Sequence, residues 1–366
     1  MRILILTTVL APYRIDLFNA LGRFCDLTVC FETESDATRN AEWYKTKAEH
    51  FNMVCLKHWD KPFYMIRREA LSYLQKTQVD AAIAFEYSTP TAMAFMLRCR
   101  RKGIPYLINC DGAHIRDSWL KRIIKRFFIR RAAMCCASGR RAGEYFKHYG
   151  AADEQIHYHP FTSLSKAELL DDLVSNEQKA ALKTALQLSY PKIGVVATRF
   201  LELKRIDVLI EAWSRLSPDY HLIIIGRGEM ESSYREQVAR LGLCNVHIIG
   251  HQTREVLFDY FKASDLLVFP TSLDVWGLVV NEAMACGLPV VTTPGSVAGL
   301  ELIEDGVGGY IVPVGDADML AEKLDAVLSD NALRDRMGRF NLERIRGYTV
   351  EASAEAFLKA IAQVVG

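Results

Sequence analysis

The chain has 366 residues and a mass of 41.4 kDa, a length that fits two domains better than one. Half of the residues are hydrophobic and 24% are charged, a balance that excludes a disordered chain. The net charge of +1 argues against a general nucleic-acid coat protein, yet residues 1–187 carry +8 and residues 188–366 carry −7. We therefore expect the two halves to face different partners.

Nine cysteines are scattered along the chain, and none forms a Cys-x-x-Cys pair. This usage is typical of a reduced, cytosolic protein and not of a disulfide framework or a zinc site. The apolar residues 3–11 lack a small-residue cleavage site, so we predict a buried strand there and not a signal peptide. The uncharged stretch 283–300 holds three glycines and two prolines, which argues against a membrane-spanning helix.

Short apolar runs alternate with longer amphipathic ones in the first half of the chain. Predicted strands lie at 2–8, 27–31, 81–85, 106–109 and 134–137, and predicted helices between them include 15–23, 65–75 and 91–102. A polar helical stretch without a strand follows at 165–188. Such alternation is typical of a parallel sheet that is covered by helices on both faces.

The same rhythm restarts after residue 188. Predicted strands lie at 193–197, 221–225, 246–249, 266–269, 289–292 and 309–312, with helices at 206–216, 229–241, 254–262, 278–285 and 317–328. We therefore predict an α/β protein of two doubly wound parallel-sheet domains, 1–187 and 188–345. Open α/β sheets bind ligands at the carboxyl ends of their strands, so the expected site is a cleft between the domains.

The segment 265–291 is the richest in candidate site residues. A predicted strand is followed by a loop that contains Asp274, and a turn at Gly277 begins a helix whose first N–H groups form an anion site. Glu282, one turn into the helix, is suited to accept hydrogen bonds from two vicinal hydroxyls, as in a ribose. Its neighbours are nearly all apolar, so this carboxylate needs a partner. The alternative makes Glu282 a surface residue and Asp274 a turn former.

Two other loops follow predicted strands and carry candidate binding groups. Arg199 and Lys204 lie where phosphate oxygens would bind, since Arg can clamp two oxygens and Lys supplies a point charge. The alternative is a solvated basic loop. Gly226 and Arg227 belong to a Gly-Arg-Gly sequence that lacks the third glycine of a dinucleotide fingerprint. This disfavours a hydride-transfer cofactor, but the glycines allow the backbone to approach a base or a ribose.

In combination these segments resemble the retaining glycosyltransferases of family four, which have the GT-B fold and a Glu-x7-Glu signature. The signature is matched by 274–291, and 245–250 and 305–310 are similar to other parts of the same donor domain, in the same order. The resemblance covers nearly all of 190–345 and is weaker over 1–187. It implies two Rossmann-like domains with an interdomain cleft, and the members it is most similar to build bacterial surface polysaccharides.

The resemblance implies that a nucleotide-diphosphate sugar, with UDP favoured over GDP, binds mainly to the second domain without a further cofactor. Glu282 matches the carboxylate that holds the ribose. Asp274 matches the first Glu, which contacts the transferred sugar, and is one methylene shorter. Two cationic side chains, Arg199 and Lys204, match the pair that neutralises the diphosphate. The backbone at the start of the helix, at Gly277, Leu278 and Val279, matches the segment that touches it.

The resemblance also implies site residues in the first domain. His114 follows a strand about where the family often has a histidine that touches the donor sugar; the alternative is a structural or solvated histidine. From their positions in the sequence, Arg14, after the first predicted strand, is expected to reach the cleft or else to be a surface charge, and Glu86, after the third, is a weaker candidate. A final helix within 346–366 is expected to pack back on the first domain, as in GT-B chains.

The implied mechanism depends on charge at the leaving diphosphate. Positive charge grows at the anomeric carbon as the diphosphate leaves. Hydrogen-bond donors aimed at the diphosphate oxygens are therefore expected to lower the reaction barrier most. By resemblance, the anomeric configuration is retained through front-side attack. The only Asp-x-Asp, Asp316 to Asp318, is interpreted as a helix cap, so we predict no metal site and an activity that survives chelation.

Residues 115–132 form a basic amphipathic stretch. Seven apolar residues fall at helical spacing, and 97–141 contains 13 basic and two acidic residues. Such a helix suits an anionic membrane surface, which fits an acceptor carried on a polyprenyl diphosphate. The alternative is a helix that packs on its own sheet and leaves its charged face in solvent. We expect a cytoplasmic protein that is peripheral on the inner face of the plasma membrane.

Two rival interpretations stay open. One is a GT-B enzyme of another kind, such as a sugar-nucleotide epimerase; a phosphorylase would need a pyridoxal lysine, which nothing in the sequence marks. The other is a catalytically silent nucleotide-sugar binder, for which the Asp at position 274 is the only support.

Overall fold

The computed structural model describes residues 1–33, 47–56, 66, 68–112, 115 and 118–366. Within these residues the chain divides into two units, each built on one parallel β-sheet. The first unit consists of Met1–Ser165 and Tyr348–Gly366, and the second of Lys166–Gly347.

A parallel sheet forms the centre of the first unit. Its described strands are β1 (Arg2–Val9), β2 (Asp26–Thr33), β3 (Asn52–Cys55), β4 (Ala81–Ala84), β5 (Tyr106–Cys110), β6 (Met134–Ala137) and β7 (Ile156–Tyr158). The helices between them are α1 (Pro12–Gly22), α2 (Arg68–Lys76), α3 (Pro90–Arg101), α4 (Trp119–Ile129) and α5 (Arg140–His148). The strand order β3-β2-β1-β4-β5-β6-β7 places β1 between β2 and β4, so the order reverses beside β1.

Side chains of β1 alternate between two hydrophobic cores. Leu4 and Leu6 lie in a core that contains residues of α2, α3 and α5, whereas Ile3 and Ile5 lie in a core with Phe18 of α1. All four strand side chains are at most 2% exposed. Since successive side chains of a strand point to opposite faces, helices cover both faces of this sheet, as the apolar runs predict.

The second unit repeats the plan with a smaller sheet. Its strands are β8 (Lys192–Ala197), β9 (Tyr220–Ile225), β10 (Val246–Ile249), β11 (Leu266–Phe269), β12 (Val290–Thr292) and β13 (Gly309–Ile311). Its helices are α6 (Asn176–Ala185), α7 (Ile206–Trp213), α8 (Glu231–Arg240), α9 (Arg254–Ala263), α10 (Leu278–Ala285), α11 (Val297–Leu302), α12 (Ala317–Ser329) and α13 (Asn331–Ile345). The order β10-β9-β8-β11-β12-β13 reverses beside β8.

The predicted strands are all confirmed, with ends that differ from the observed ones by at most two residues. The prediction missed the strands β3 and β7 and the helices α5, α11 and α13. Both missed strands lie at the edges of the first sheet, where they are short and only partly buried. Edge strands are half solvated, so hydrophobic patterning marks them weakly.

The boundary between the units differs from the predicted one. It lies between Ser165 and Lys166, whereas the sequence pattern places it between residues 187 and 188. Helix α6 packs with the second unit, and Nζ of its Lys179 lies 2.6 Å from Oδ1 of Asp265, which directly precedes β11. None of the residues of α6 is fully buried, so its sequence does not reveal which unit it joins.

The last helix, α14 (Val350–Val365), belongs to the first unit and contacts α1. The ring of Phe357 stacks on that of Phe85, with centroids 5.6 Å apart. Ala354 and Ile361 are buried in the same core. The helix therefore completes one face of the first sheet.

Candidate functional site

Three loops meet at the carboxyl ends of β8, β11 and β12. Strands β8 and β11 are neighbours where the strand order reverses, so the loops that follow them lie side by side. The N–H of Ser272 donates to the carbonyl of Leu203 at 2.8 Å, which joins the loops after β11 and β8. The N–H of Asp274 donates to the carbonyl of Gly295 at 2.8 Å, which adds the loop after β12. Such switch points are where open α/β sheets bind ligands.

Lys204 and Asp274 form an ion pair at this point. Nζ of Lys204 donates to Oδ2 of Asp274, and Oδ1 of Asp274 accepts from the N–H of Trp276 at 3.3 Å. Lys204 is 7% exposed, and its Nζ lies 5.2 Å from the centroid of the Phe269 ring. The fold thus joins two predicted site residues that are 70 positions apart in the sequence. Either charge would be costly to leave unpaired here, so each orients the other.

Arg199 lies on the same loop as Lys204 but is exposed. Its side chain makes no hydrogen bond or ion pair with any residue in the described ranges. The guanidinium therefore has its donors available for an external anion. The loop after β8 thus presents the buried Lys204 and the exposed Arg199, whereas its third cation, Arg205, is paired with Asp207.

Helix α10 begins beside the ion pair, at Gly277. This residue has a left-handed φ of 100°, and a Cβ on it would lie 2.8 Å from Cε1 of Phe269 and 3.0 Å from Oγ of Ser296. Only glycine fits these constraints. Among the described residues, no side chain caps the helix. Leu278 and Val279 lie in its first turn, so the helix itself offers no carbonyl to which their N–H groups could donate. The helix start is therefore suited to bind an anion.

Glu282 has the partner that its apolar surroundings require, and this partner is a residue of the protein. Nη1 of Arg254 lies 2.7 Å from Oε1 of Glu282, and Nε of Arg254 lies 2.8 Å from Oε1 of Glu168. Burial acts to lower the pKa of Arg254, but the two carboxylates outweigh it and raise the pKa. The Glu282 side chain is 13% exposed. The role of Glu282 toward a ribose stays a prediction.

Gly226 allows two neighbouring loops to touch. Its φ is 152°, and a Cβ on it would collide with the carbonyl oxygen of Thr198 in the loop after β8. The N–H of Phe200 donates to the carbonyl of Arg227 at 2.8 Å, which ties the same loops together. The close approach at Gly226 is thus explained by loop packing, and Arg227 has an exposed side chain. Binding of a base or ribose by these residues stays a prediction.

In the first unit, Arg14 is buried inside a polar cluster at the carboxyl ends of β1, β4 and β5. Its guanidinium donates to Thr7 and to Oδ2 of Asp111 at 2.8 Å, and it lies 3.4 Å from Oε1 of Glu86. The interpretation of Arg14 as a surface charge is wrong, since the residue is 8% exposed. Burial raises the pKa of Glu86, and Arg14 offsets this only in part. The predicted His114 lies outside the described residues.

A buried histidine extends this cluster. Nδ2 of Asn109 donates to Oδ1 of Asp111 at 2.5 Å, and Nε2 of His159 lies 2.9 Å from Oδ1 of Asn109. The other ring nitrogen of His159 lies 3.4 Å from Oγ of Ser353 in α14. Burial lowers the pKa of His159 to about 4, so the ring is neutral at pH 7. The sequence analysis missed His159 and Asp111, since neither belongs to a motif.

The Asp-x-Asp sequence caps a helix, as predicted. Oδ1 of Asp316 accepts from the N–H of Met319 at 2.9 Å, at the start of α12. Asp318 lies 2.8 Å from Nη1 of Arg215. Across the ranges that the structure describes, no group of three or more His, Cys, Asp or Glu residues is placed to hold a metal ion.

Two further parts of the site were missed by the sequence analysis. Ser296 caps α11 by accepting from the N–H of Gly299 at 3.1 Å, and it forms a β-bridge with Asp274. The Pro-Gly-Ser sequence before α11 is a turn-and-cap signal that could have revealed this helix. No local signal marks Arg254 as the partner of Glu282, because the contact joins separate helices.

Helix α4 carries an exposed apolar row beside its cations. Trp119, Leu120 and Ile123 are 74%, 53% and 56% exposed, whereas Phe128 and Ile129 at the other end are buried. One side of α4 therefore packs on the first unit, through its buried last turn and the partly buried Ile124, and the exposed row faces away from that core. Considering the described helices alone, none has the length and apolar character needed to span a bilayer.

These two doubly wound units are similar to solved structures of the GT-B class. HepE of Anabaena, solved in complex with UDP, is 18% identical, with a TM-score of 0.79 over 99% of this chain and 100% of that chain. The likeness shows the fold, which is GT-B, as the sequence resemblance predicts.

Residues 176–344 match the model of the family described as glycosyl transferases group 1. LpsE of Rhizobium meliloti, a lipopolysaccharide core biosynthesis glycosyltransferase, is 34% identical over 168 residues, or 45% of this chain and 48% of the relative. A D-inositol 3-phosphate glycosyltransferase of Kribbella flavida is 32% identical over 176 residues, or 44% and 41%. The chain thus spans about half the length of the curated relatives it matches.

Proposed function

We propose that this chain is a retaining glycosyltransferase that moves a sugar from a nucleotide-diphosphate donor to a glycan or lipid-linked acceptor in cell-surface polysaccharide synthesis. We propose a UDP-sugar, not a GDP-sugar, as the donor. The observation that carries the proposal is the convergence of Lys204, Asp274 and the start of α10 at adjacent strand ends. It lies within the segment that matches the model of glycosyl transferases group 1. The UDP complex of HepE and the name of LpsE support the donor and the pathway class.

The proposed chemistry rests on charge at the diphosphate. As the bond to the anomeric carbon breaks, negative charge moves onto the leaving oxygens. Arg199, Lys204 and the N–H groups that begin α10 would stabilise that charge without reorganising. Removing one preorganised donor of this kind typically costs about 3–4 kcal/mol of barrier. The same groups would do the work of a metal ion, so the reaction is proposed to need none.

The two carboxylates have separate proposed roles. Asp274, oriented by Lys204, would lie near the anomeric carbon and stabilise the positive charge that grows there. Glu282 would accept hydrogen bonds from the ribose hydroxyls, and Arg254 would orient it. The acceptor would attack from the face that the diphosphate leaves, so the anomeric configuration is retained.

The first experiment measures nucleotide release and sugar transfer with a panel of UDP- and GDP-sugars and an acceptor extract. Arg199→Ala is expected to lower turnover by roughly 100-fold or more, on the barrier scale given above. Arg240→Ala, an exposed arginine on α8, is the matched control and should leave turnover unchanged. Unchanged turnover in a well-folded Arg199→Ala protein would contradict the proposed site. Activity should survive chelation, and proton NMR of the product should show the donor's anomeric configuration.

The rival functions give different products. An epimerase would convert the nucleotide sugar without an acceptor, and a silent binder would shift its melting temperature with UDP-sugars but release no nucleotide. The proposal requires that nucleotide release rises when an acceptor is added. Conversion of the donor to a second nucleotide sugar in the absence of acceptor would decide for the epimerase.

We also propose that α4 places the protein on the cytoplasmic face of an anionic membrane. The exposed row of Trp119, Leu120 and Ile123 beside Lys121 and Arg122 is the composition of an interfacial helix. A lipid-linked acceptor would then be reached in the plane of the membrane.

Vesicle flotation tests the membrane proposal. Vesicles with anionic lipid should carry the protein, and the double variant Trp119→Ser with Ile123→Ser should stay behind. Leu241→Ser, an exposed leucine in the second unit, is the control and should float like the unaltered chain. Equal flotation with neutral and anionic vesicles, or no flotation at all, would refute the membrane surface.

A further inference from the structure

The second unit contains a cavity of about 360 Å³ that is separate from the loops of the proposed donor site. Its wall includes Lys192 at the start of β8, Asp265 just before β11 and Pro289 just before β12. These positions are the amino ends of the strands, whereas Arg199 and Asp274 follow the carboxyl ends. Strand β8 has six residues, so at about 3.3 Å per residue roughly 20 Å of sheet separates the two ends.

The wall of this cavity is strongly basic. Its two carboxylates belong to Asp265 and Asp335, and Asp265 is already paired with a lysine of α6. Its five cations come from four elements of the unit: Lys179, Lys183, Lys192, Lys262 and Arg334. Five cations and two carboxylates leave a net charge of +3 around the cavity. A concave surface of one sign attracts counter-ions strongly, because the protein around it focuses the field.

Lys179 and Nε of Arg334 contact the carboxylate of Asp265, at 2.6 and 3.8 Å, and the other bonds of the cations are to neutral oxygens. Nζ of Lys183 lies 2.8 Å from the carbonyl oxygen of Tyr190, and Nζ of Lys192 lies 2.6 Å from Oδ1 of Asn331. Arg334 donates to two backbone carbonyls at the end of α12, at 2.8 and 2.6 Å. These bonds fix the positions of the cations but do not neutralise their charge. An ammonium has three donors. Lys183 uses two of them, on the carbonyls of Tyr190 and Pro191, so each lysine has at least one donor left for a ligand.

The pKa shifts of the wall residues are those expected where cations outnumber carboxylates. Burial lowers the pKa of Lys183, and it lowers the pKa of Lys192 together with the nearby charge of Arg334. Burial acts to raise the pKa of Asp265, yet the surrounding cations, with Lys179 the strongest, lower it overall. An anion in the cavity would relieve the repulsion among the lysines.

We propose that this cavity is a second anion site, which binds a small inorganic anion of the phosphate class, with diphosphate bound more tightly than orthophosphate. The wall residues in the described chain include no aromatic side chain, so nothing there would stack on a nucleoside base. Four lysines and an arginine suit several phosphate oxygens at once. Because Lys179 and Lys183 lie on α6 and Lys192 on β8, a bound anion would tie α6 to the sheet and stabilise the second unit.

Calorimetric titration with inorganic diphosphate tests the site in the full chain, at constant ionic strength. The double variant Lys183→Gln with Lys192→Gln should weaken the diphosphate binding event at this cavity at least tenfold, whereas Arg199→Ala, which alters the donor loops, should keep that binding event. Asp335→Asn removes an exposed carboxylate from the wall and should strengthen binding about threefold. Lys359→Gln, an exposed lysine on α14, is the control and should change nothing.

The variants distinguish this cavity from the proposed donor site. Loss of diphosphate binding in Arg199→Ala with full binding in the double lysine variant would mean that diphosphate binds at the donor loops, and would overturn the proposal. The proposal would also be overturned if inorganic diphosphate did not bind to the unaltered chain. It would be overturned as well if the Arg199→Ala chain bound UDP as tightly as diphosphate. Circular dichroism checks the fold of the double variant. If it does not fold, the Asp335→Asn titration decides, and unchanged affinity there counts against the site.

Discussion

The ion pair between Lys204 and Asp274 allows stability and turnover to be separated in one set of variants. The Lys204 side chain is 8% exposed and that of Asp274 is 24% exposed. Breaking a buried pair by removing one partner costs about 3–5 kcal/mol, because a charge is left without compensation. Asp274 is partly solvated and keeps the bond from the N–H of Trp276, so Lys204→Met is expected to cost about 2 kcal/mol. Asp274→Asn leaves the more buried charge, that of Lys204, without a partner, so the free energy of unfolding is expected to fall by about 3 kcal/mol.

The double variant Lys204→Met with Asp274→Asn removes both charges. It should be about 1 kcal/mol less stable than the unaltered chain, which makes the coupling energy about 4 kcal/mol in a double-mutant cycle. Turnover should behave differently. Each single variant should lose roughly 100-fold or more in kcat, and the double variant should not recover it, because the proposed chemistry uses both charges.

Urea unfolding of the second unit and sugar-transfer kinetics are measured on the same four proteins. Recovery of stability without recovery of kcat supports the site as described. If kcat instead recovers along with stability in the double variant, the pair is purely structural and the proposed roles of both residues are refuted. If the single variants are as stable as the unaltered chain, the argument from burial fails.

Three further predictions concern single positions. Gly277→Ala should destabilise the second unit by about 2–4 kcal/mol in urea unfolding, because the left-handed backbone and the contact of the new Cβ with Phe269 both oppose alanine; a loss below about 1 kcal/mol would contradict the tight turn. Arg254→Met should raise the KM for the nucleotide sugar about tenfold with a smaller change in kcat, since it releases Glu282; an unchanged KM would argue that the pair does not serve donor binding. His159 has a folded-state pKa of about 4, below its ordinary value, so the unfolded chain takes up the proton first as the pH falls. The first unit should therefore lose about 3 kcal/mol between pH 6.5 and 4, a slope that a folded His159→Gln variant should lack in pH-dependent unfolding.

The elements of the fold were predictable to the extent that their signals are local. Buried parallel strands are continuous apolar runs, such as 266–269, and the structure has each predicted strand. The same reasoning missed β3 and β7, whose edge positions give a weak pattern, and it placed α6 in the wrong unit. A polar helix is assigned to a unit by contacts such as Lys179 with Asp265, which no local pattern encodes.

The candidate site was predictable as a set of residues but not as a set of contacts. Asp274, Gly277 and Glu282 stand out because a strand, a glycine turn and an apolar helix follow each other within a few positions. Their partners come from elsewhere: Lys204 reaches Asp274 from the loop after β8, and Arg254 reaches Glu282 from α9. These contacts depend on which strands and helices are neighbours.

By itself, the sequence determined the alternation of strands and helices, the glycine that begins α10 and the chemical types of the side chains on each loop. These features follow from hydrophobic periodicity and backbone sterics, which act over a few residues. Only the tertiary structure decided that β8 lies beside β11, through the pairing of Gly194 with Leu266. That pairing brings the buried Lys204 into contact with Asp274, 70 positions away, at one end of the strands. The basic cavity lies at the opposite strand ends. Strand order is set by long-range packing, so no local pattern in the sequence could reveal either feature.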